Sequence, residues 1–194
     1  HFLTLLLGSL TLSMATSVSA STYGQASIAQ LKAFAARGDV MAMSILASRY
    51  DTGQGVRENN REAVFWYQKA AQGGHVKSQY NLALMYDTGE GVPVDKRLAL
   101  IWYRIAGEQG DLAAQANVGA MYDRGEGAPM DKAEAVRWFK KAANKGDVAS
   151  QYNLGLMYLN GQGVERDINA AVKWYSLAAQ QGDVDANKAL ARLS

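Results

Sequence analysis

The sequence predicts an all-α fold, a solenoid of stacked antiparallel helical hairpins. Three observations predict it: a fixed repeat, helical spacing inside each copy, and glycine-proline breaks between helices. Gly38, Gly74, Gly110, Gly146 and Gly182 stand 36 residues apart. On the same ruler fall Tyr50, Tyr86, Tyr122 and Tyr158, and the glycine pairs Gly53/Gly55, Gly89/Gly91, Gly125/Gly127 and Gly161/Gly163. All four tryptophans, Trp66, Trp102, Trp138 and Trp174, share one column. Self-similarity at a fixed period of this length is the signature of a repeat architecture.

Taken in chain order, residues 1–20 contain no Asp, Glu, Lys or Arg. Phe2 to Leu12 is mostly Leu and Thr, and Val18-Ser19-Ala20 follows with the spacing that a signal peptidase accepts. Ser9, Thr11, Ser13, Thr16 and Ser17 interrupt the run, where a membrane span needs about 20 apolar residues. The expectation is a signal peptide over 1–20, export to the periplasm or beyond, and no stable membrane insertion after cleavage. Residues 21–37 read as a capping half-repeat, because Ile28–Arg37 aligns with the end of a second helix. Four full repeats then occupy 38–73, 74–109, 110–145 and 146–181, and residues 182–194 form a lone capping helix.

Inside the second copy, Gln79, Leu82, Ala83 and Tyr86 mark one face of a first helix. Ala99, Trp102, Tyr103 and Ala106 repeat that spacing in a second helix. Gly89-Glu90-Gly91 with Pro93 stops the first helix, since glycine reaches positive φ cheaply and proline cannot continue a helix. Asn59, Asp95, Asp131 and Asp167 stand where N-caps of the second helices belong. Asn59…Glu62 and Asp131…Glu134 have the spacing of reciprocal capping. Asp111, Asp147 and Asp183 cap the first helices, and His75 shares their column as a residue at a helix start. Small residues (Ala47, Ala83, Gly119, Gly155; Ala63, Ala99, Ala135, Ala171) let paired helices approach, and the Trp and Tyr columns fill the space between hairpins. A single hairpin cannot bury its own apolar face, so the copies must stack.

The strings Gln79-Tyr80-Asn81-Leu82-Ala83-Leu84-Met85-Tyr86, Gly89-x-Gly91-Val92 and Ala99-x-x-Trp102-Tyr103-x-x-Ala106 resemble the Sel-1-like repeat, the longer cousin of the tetratricopeptide repeat. The resemblance covers about residues 38–194. It implies a right-handed superhelix with a concave groove, in a family whose members are mostly adaptors in protein complexes and, in bacteria, often exported. One cysteine-rich secreted branch binds and hydrolyses β-lactams, with a disulfide in each repeat.

This chain has no cysteine, so disulfides, thiolate metal sites and cysteine nucleophiles are excluded. His1 and His75 alone leave little scope for histidine chemistry, and a net charge of +2 without long basic runs gives no case for nucleic acid. Asp51-Thr52-Gly53 and Asp87-Thr88-Gly89 spell the aspartic-protease triplet, but each ends a helix instead of facing its twin across β-loops. The Gly-x-Gly pairs lack the third glycine and preceding strand of a dinucleotide loop. No catalytic, cofactor-binding or metal site is expected.

The expected partner is a protein or peptide, held on the columns that vary between copies. One face of the first helices reads Ser44, Ser48, Asp51, Thr52; then Tyr80, Leu84, Asp87, Thr88; then Ala116, Ala120, Asp123, Arg124; then Tyr152, Leu156, Leu159, Asn160. By analogy with tetratricopeptide stacks this face lines the groove. The candidate contact residues are Tyr80, Leu84, Asp87, Asp123, Arg124, Tyr152 and Leu156, with Asp51, Asp87 and Asp123 supplying negative potential. Asn81, Asn117 and Asn153 recur beside them, to bond a neighbouring backbone or reach a ligand. Two alternatives are an envelope glycan-associated factor, for which Tyr23, Tyr80 and Tyr152 are the free aromatics, and a β-lactam-binding protein.

Overall fold

The computed structural model describes residues 20–193, so the signal-segment reading of residues 1–19, and Ser194, lie outside the described residues. Helices α1 (Ala20–Gln25) and α2 (Ile28–Ala35) precede four hairpins. These are α3 (Val40–Thr52) with α4 (Asn60–Gln72), α5 (Val76–Thr88) with α6 (Lys96–Glu108), α7 (Leu112–Arg124) with α8 (Lys132–Ala143), and α9 (Val148–Asn160) with α10 (Ile168–Gln180). Helix α11 (Val184–Ala191) packs on α10, and no strand occurs among the described residues. From α2 onward each helix packs on the next in chain order, the stacking expected of a solenoid. Of the non-consecutive helices, the first helices α7 and α9 pack together most closely.

The caps hold this regularity in place. Asp39, Asp111, Asp147 and Asp183 each accept the N–H three residues on, as the sequence led one to expect of the aspartates at 111, 147 and 183. His75 does the same through Nδ1, 3.2 Å from the Ser78 N–H. Burial lowers its pKa, which favours the neutral ring that can accept. Asn59, Asp95, Asp131 and Asp167 cap the second helices. The reciprocal half of capping does not form at Asn59 and Asp131. Glu62 and Glu134 instead accept the indole N–H of Trp66 (3.2 Å) and Trp138 (2.9 Å), one turn further along the same helix. A complete capping box occurs at Ser27 and Gln30, ahead of α2.

Each first helix ends on a glycine in the left-handed region (Gly53, Gly89, Gly125, Gly161; φ 72°, 84°, 72° and 68°). The chain then closes when the N–H of the next cap donates to the tyrosine column, as from Asp95 to Tyr86 O at 2.9 Å. The second glycine of the turn has a role the sequence reading did not assign. A Cβ on Gly91, Gly127 or Gly163 would strike the backbone of Asn60, Lys96 or Lys132, at the start of the preceding second helix. Glycine is required there for its φ and for the approach of one backbone to another.

Burial adds depth to the account of the core. Trp138 is buried and lies against Gly107 of the preceding second helix, where an added methyl would stand 2.9 Å from the ring. Tyr86, Tyr122 and Tyr158 each bridge two core clusters. Those columns do fill the space between hairpins. The deepest aromatics are the residues after each tryptophan, Tyr67, Tyr103, Phe139 and Tyr175, none more than 3% exposed. They lie on the small column of the first helices: a methyl on Gly119 would come within 2.7 Å of Phe139, and one on Gly155 within 2.6 Å of Tyr175.

A buried amide joins successive hairpins. Gln79, Gln115 and Gln151 donate to the carbonyls of Ala71, Gly107 and Ala143, at the end of the preceding second helix (3.2, 2.7 and 3.1 Å). These carbonyls are among those a helix cannot satisfy itself. At the front, Arg49 donates to the carbonyls of Tyr23, Gly24 and Ala26, and the Tyr23 hydroxyl donates to Asp39 at 2.6 Å. The sequence reading gave α2 but not α1, which this arginine holds against the first hairpin.

Candidate functional site

Equal helix phase in successive repeats puts the variable columns of α3, α5, α7 and α9 on one side of the stack. On α5, Tyr80 is half-buried, its ring 5.5 Å from Tyr103, and Leu84 one turn on is 38% exposed. Helix α9 repeats this arrangement: Tyr152 stands 5.5 Å from Tyr175, and Leu156 is 38% exposed. Between them α7 offers only Ala116 and Ala120, both half-buried. The face is therefore two Tyr-Leu ridges on either side of an alanine trough. Each ridge tyrosine rests on a buried aromatic of its own hairpin, which holds its ring in place.

The charges differ from expectation. Asp87 and Asp123 are not free sources of negative potential, because Lys96 and Lys132 reach back across the turn to them (2.6 and 2.8 Å). Arg124 pairs with Glu126 at 2.7 Å and holds that carboxyl below its usual pKa. Partly exposed pairs of this kind add little stability, but they cancel each other's field. In the first hairpin Asn60 replaces the lysine. Asp51 there meets no cation among the described residues and accepts only the Tyr67 hydroxyl, at 3.2 Å.

Asn81 and Asn117 face tyrosine hydroxyls of the preceding second helix, Tyr67 and Tyr103. Burial, with the Asp51 carboxylate adding to it, pushes Tyr67 up to about 12, and burial raises Tyr103 as well. Both hydroxyls stay protonated at neutral pH. Tyr23, one of the aromatics suited to a sugar, is bonded to Asp39 and packed edge-on against Phe34. No cluster that could hold a metal occurs among the described residues.

The sequence reading missed the Lys96/Lys132 column, although it recurs at 36 residues; of the Tyr67 column it placed Tyr103 on the apolar face of a second helix but did not give the column its depth. The tyrosines also set a pH dependence. An unfolded tyrosine ionises near 10 whereas folded Tyr67 stays protonated to about 12, so its contribution is present below 10 and is lost as pH rises. Denaturant melts of the wild-type chain should show stability falling above pH 10, and Tyr67→Phe should make that fall shallower. An identical slope in the variant would refute the assignment.

Comparison with known proteins places this geometry. The family model described as Sel1 repeat matches residues 40–75, 76–111, 112–147 and 148–183. A protective antigen of uropathogenic Escherichia coli displaying an SLR fold is 41% identical with a TM-score of 0.76, over 83% of this chain and 34% of the antigen. The chain thus spans about a third of that protein's length. A Sel1 repeat protein from Oxalobacter formigenes is 36% identical with a TM-score of 0.79, over 85% of this chain and 68% of the other. Helicobacter pylori cysteine rich protein B, 22% identical with a TM-score of 0.54 over 71% of this chain and 99% of its own, shares the fold. No curated protein matches the sequence.

Proposed function

The chain belongs to the Sel1 repeat family, and on that premise we propose that it is an exported, non-enzymatic scaffold that holds a protein or peptide partner across its first helices. The observation that carries this reading is the pair of Tyr-Leu ridges, their tyrosines seated on buried aromatics, flanking the Ala116–Ala120 trough. Interfaces concentrate their energy in a few well-supported aromatic and aliphatic anchors. Here Tyr80, Leu84, Tyr152 and Leu156 are such anchors on consecutive turns, and the trough between them accepts an apolar or aromatic side chain. Asp87, Asp123 and Arg124, already paired, form a polar rim that a partner must match with paired charges of its own. The site spans three repeats, because each hairpin contributes only a few side chains to it.

The test is capture of a partner from envelope extract by the purified chain, followed by titration of whatever is retained. Tyr80→Ala with Leu84→Ala should weaken binding at least about tenfold, which corresponds to about 1.4 kcal/mol. Leu84→Ala alone changes an exposed residue and should give a smaller loss without disturbing the fold. Lys69→Ala and Lys141→Ala, on second helices, should leave capture unchanged. Normal binding by a folded double variant, with loss in the lysine variants, would move the site to the other face.

Export rests on the uncharged apolar start and the small residues before Ser21. Mass spectrometry of the protein recovered outside the cytoplasm should find Ser21 as its first residue. An intact N-terminus held in the membrane fraction would show that the segment is an anchor.

A further inference from the structure

The outer face of the second helices carries a charge that the near-neutral whole conceals. Helices α4, α6, α8 and α10 hold ten Lys and Arg against three Glu, whereas the four first helices hold three of each sign. Lys96 and Lys132 turn inward to Asp87 and Asp123. The three glutamates are engaged: Glu62 and Glu134 accept from tryptophan indoles, Glu134 also pairs with Arg137 at 3.0 Å, and Glu108 lies 3.8 Å from Arg104. Arg61, Lys69, Lys141 and Lys173 are exposed and meet no carboxylate among the described residues. Lys69 and Lys141 lie over the rings of Phe65 (5.7 Å) and Trp138 (3.7 Å), contacts that leave the charge intact.

Two large apolar side chains stand among these cations. Phe65 and Ile101 occupy one column and are 47% and 48% exposed, and Arg137 and Lys173 continue that column in the next two repeats. Because the helix phase is the same in every repeat, the cations and the two apolar residues share one broad face.

We propose that this face is a peripheral docking surface for an anionic phospholipid bilayer. The cations meet lipid phosphates, and Phe65 and Ile101 enter the boundary between headgroups and acyl chains. A nucleic-acid duplex would satisfy the cations but leave Phe65 and Ile101 in water, and four helices lying side by side present a broad face instead of an element shaped for a groove. The attachment is peripheral, since no helix among the described residues is long and apolar enough to cross a membrane. This goes beyond the scaffold reading, because the first-helix face on the other side stays open to a partner.

The experiment is cosedimentation of the purified chain with vesicles of phosphatidylglycerol and phosphatidylcholine in equal parts, and with phosphatidylcholine alone, at low and at moderate salt. The chain should sediment with the anionic vesicles only, and less at higher salt. Arg61→Gln, Lys141→Gln and Lys173→Gln together should lower partitioning at least about tenfold. Phe65→Ser with Ile101→Ser should weaken it several-fold while keeping the salt dependence. Circular dichroism should show these surface variants as helical as the wild-type chain. Failure of the wild-type chain to bind anionic vesicles would overturn the proposal, as would wild-type binding by the triple variant or retention of a random-sequence duplex by a chain the vesicles ignore. Partner capture through Tyr80 and Leu84 is read separately, so either result can fail without the other.

Discussion

The structure depends on one backbone contact made three times. The second glycine of a turn lies on the first residue of the preceding second helix: Gly91 on Asn60, Gly127 on Lys96, Gly163 on Lys132. No side chain fits between the two backbones, so the offset between neighbouring hairpins cannot drift. The buried glutamines fix the other end of the same junction, carrying an amide from each of α5, α7 and α9 to the last carbonyls of the helix before. With both ends pinned, residues 36 apart in the sequence become neighbours of equal orientation. Every column in the sequence is then a line on the surface or in the core.

Two faces with different chemistry follow. On the first-helix side, cations reach back over the turn and cancel the acids, leaving apolar ridges at Tyr80/Leu84 and Tyr152/Leu156. On the second-helix side, glutamates are drawn to the indoles of Trp66 and Trp138, and lysines and arginines are left outward. Beneath both faces a buried ring lies in each hairpin, and in the third and fourth it is pressed against a glycine of the first helix, Gly119 and Gly155.

The period, the helix pairs, most N-caps and the Trp and Tyr columns were legible in the sequence, because each depends on a residue type whose local role is fixed: glycine for positive φ, aspartate for a cap, tryptophan for bulk. What escaped depends on contacts across a junction. Lys96 is nine residues from Asp87, on the far side of a turn, and nothing local says that it folds back. Glu62 has the spacing of a reciprocal cap, yet a nearby indole donor is the better partner. In the deep column at Tyr67 the helical spacing puts Tyr103 on the apolar face, but that the column lies deeper than most of the neighbouring tryptophans depends on packing between helices. Helix α1 owes its place to Arg49, more than twenty residues away. The basic outer face was hidden because a net charge of +2 averages over two sides.

The central claim, that register is set by backbone contact at the turn glycines, is tested most directly by comparing Gly127→Ala with Gly55→Ala in denaturant melts. Both glycines have positive φ (76° and 73°), so each substitution carries the same conformational cost of about 1–2 kcal/mol. Only Gly127 lies on a neighbouring helix, whereas Gly55 has open space around the position of the new methyl. Gly127→Ala should therefore destabilise the chain by clearly more than Gly55→Ala, with hydrogen exchange rising at the junction of α6 and α7. Equal losses would mean that the glycines serve only their own turns and that the register is set elsewhere.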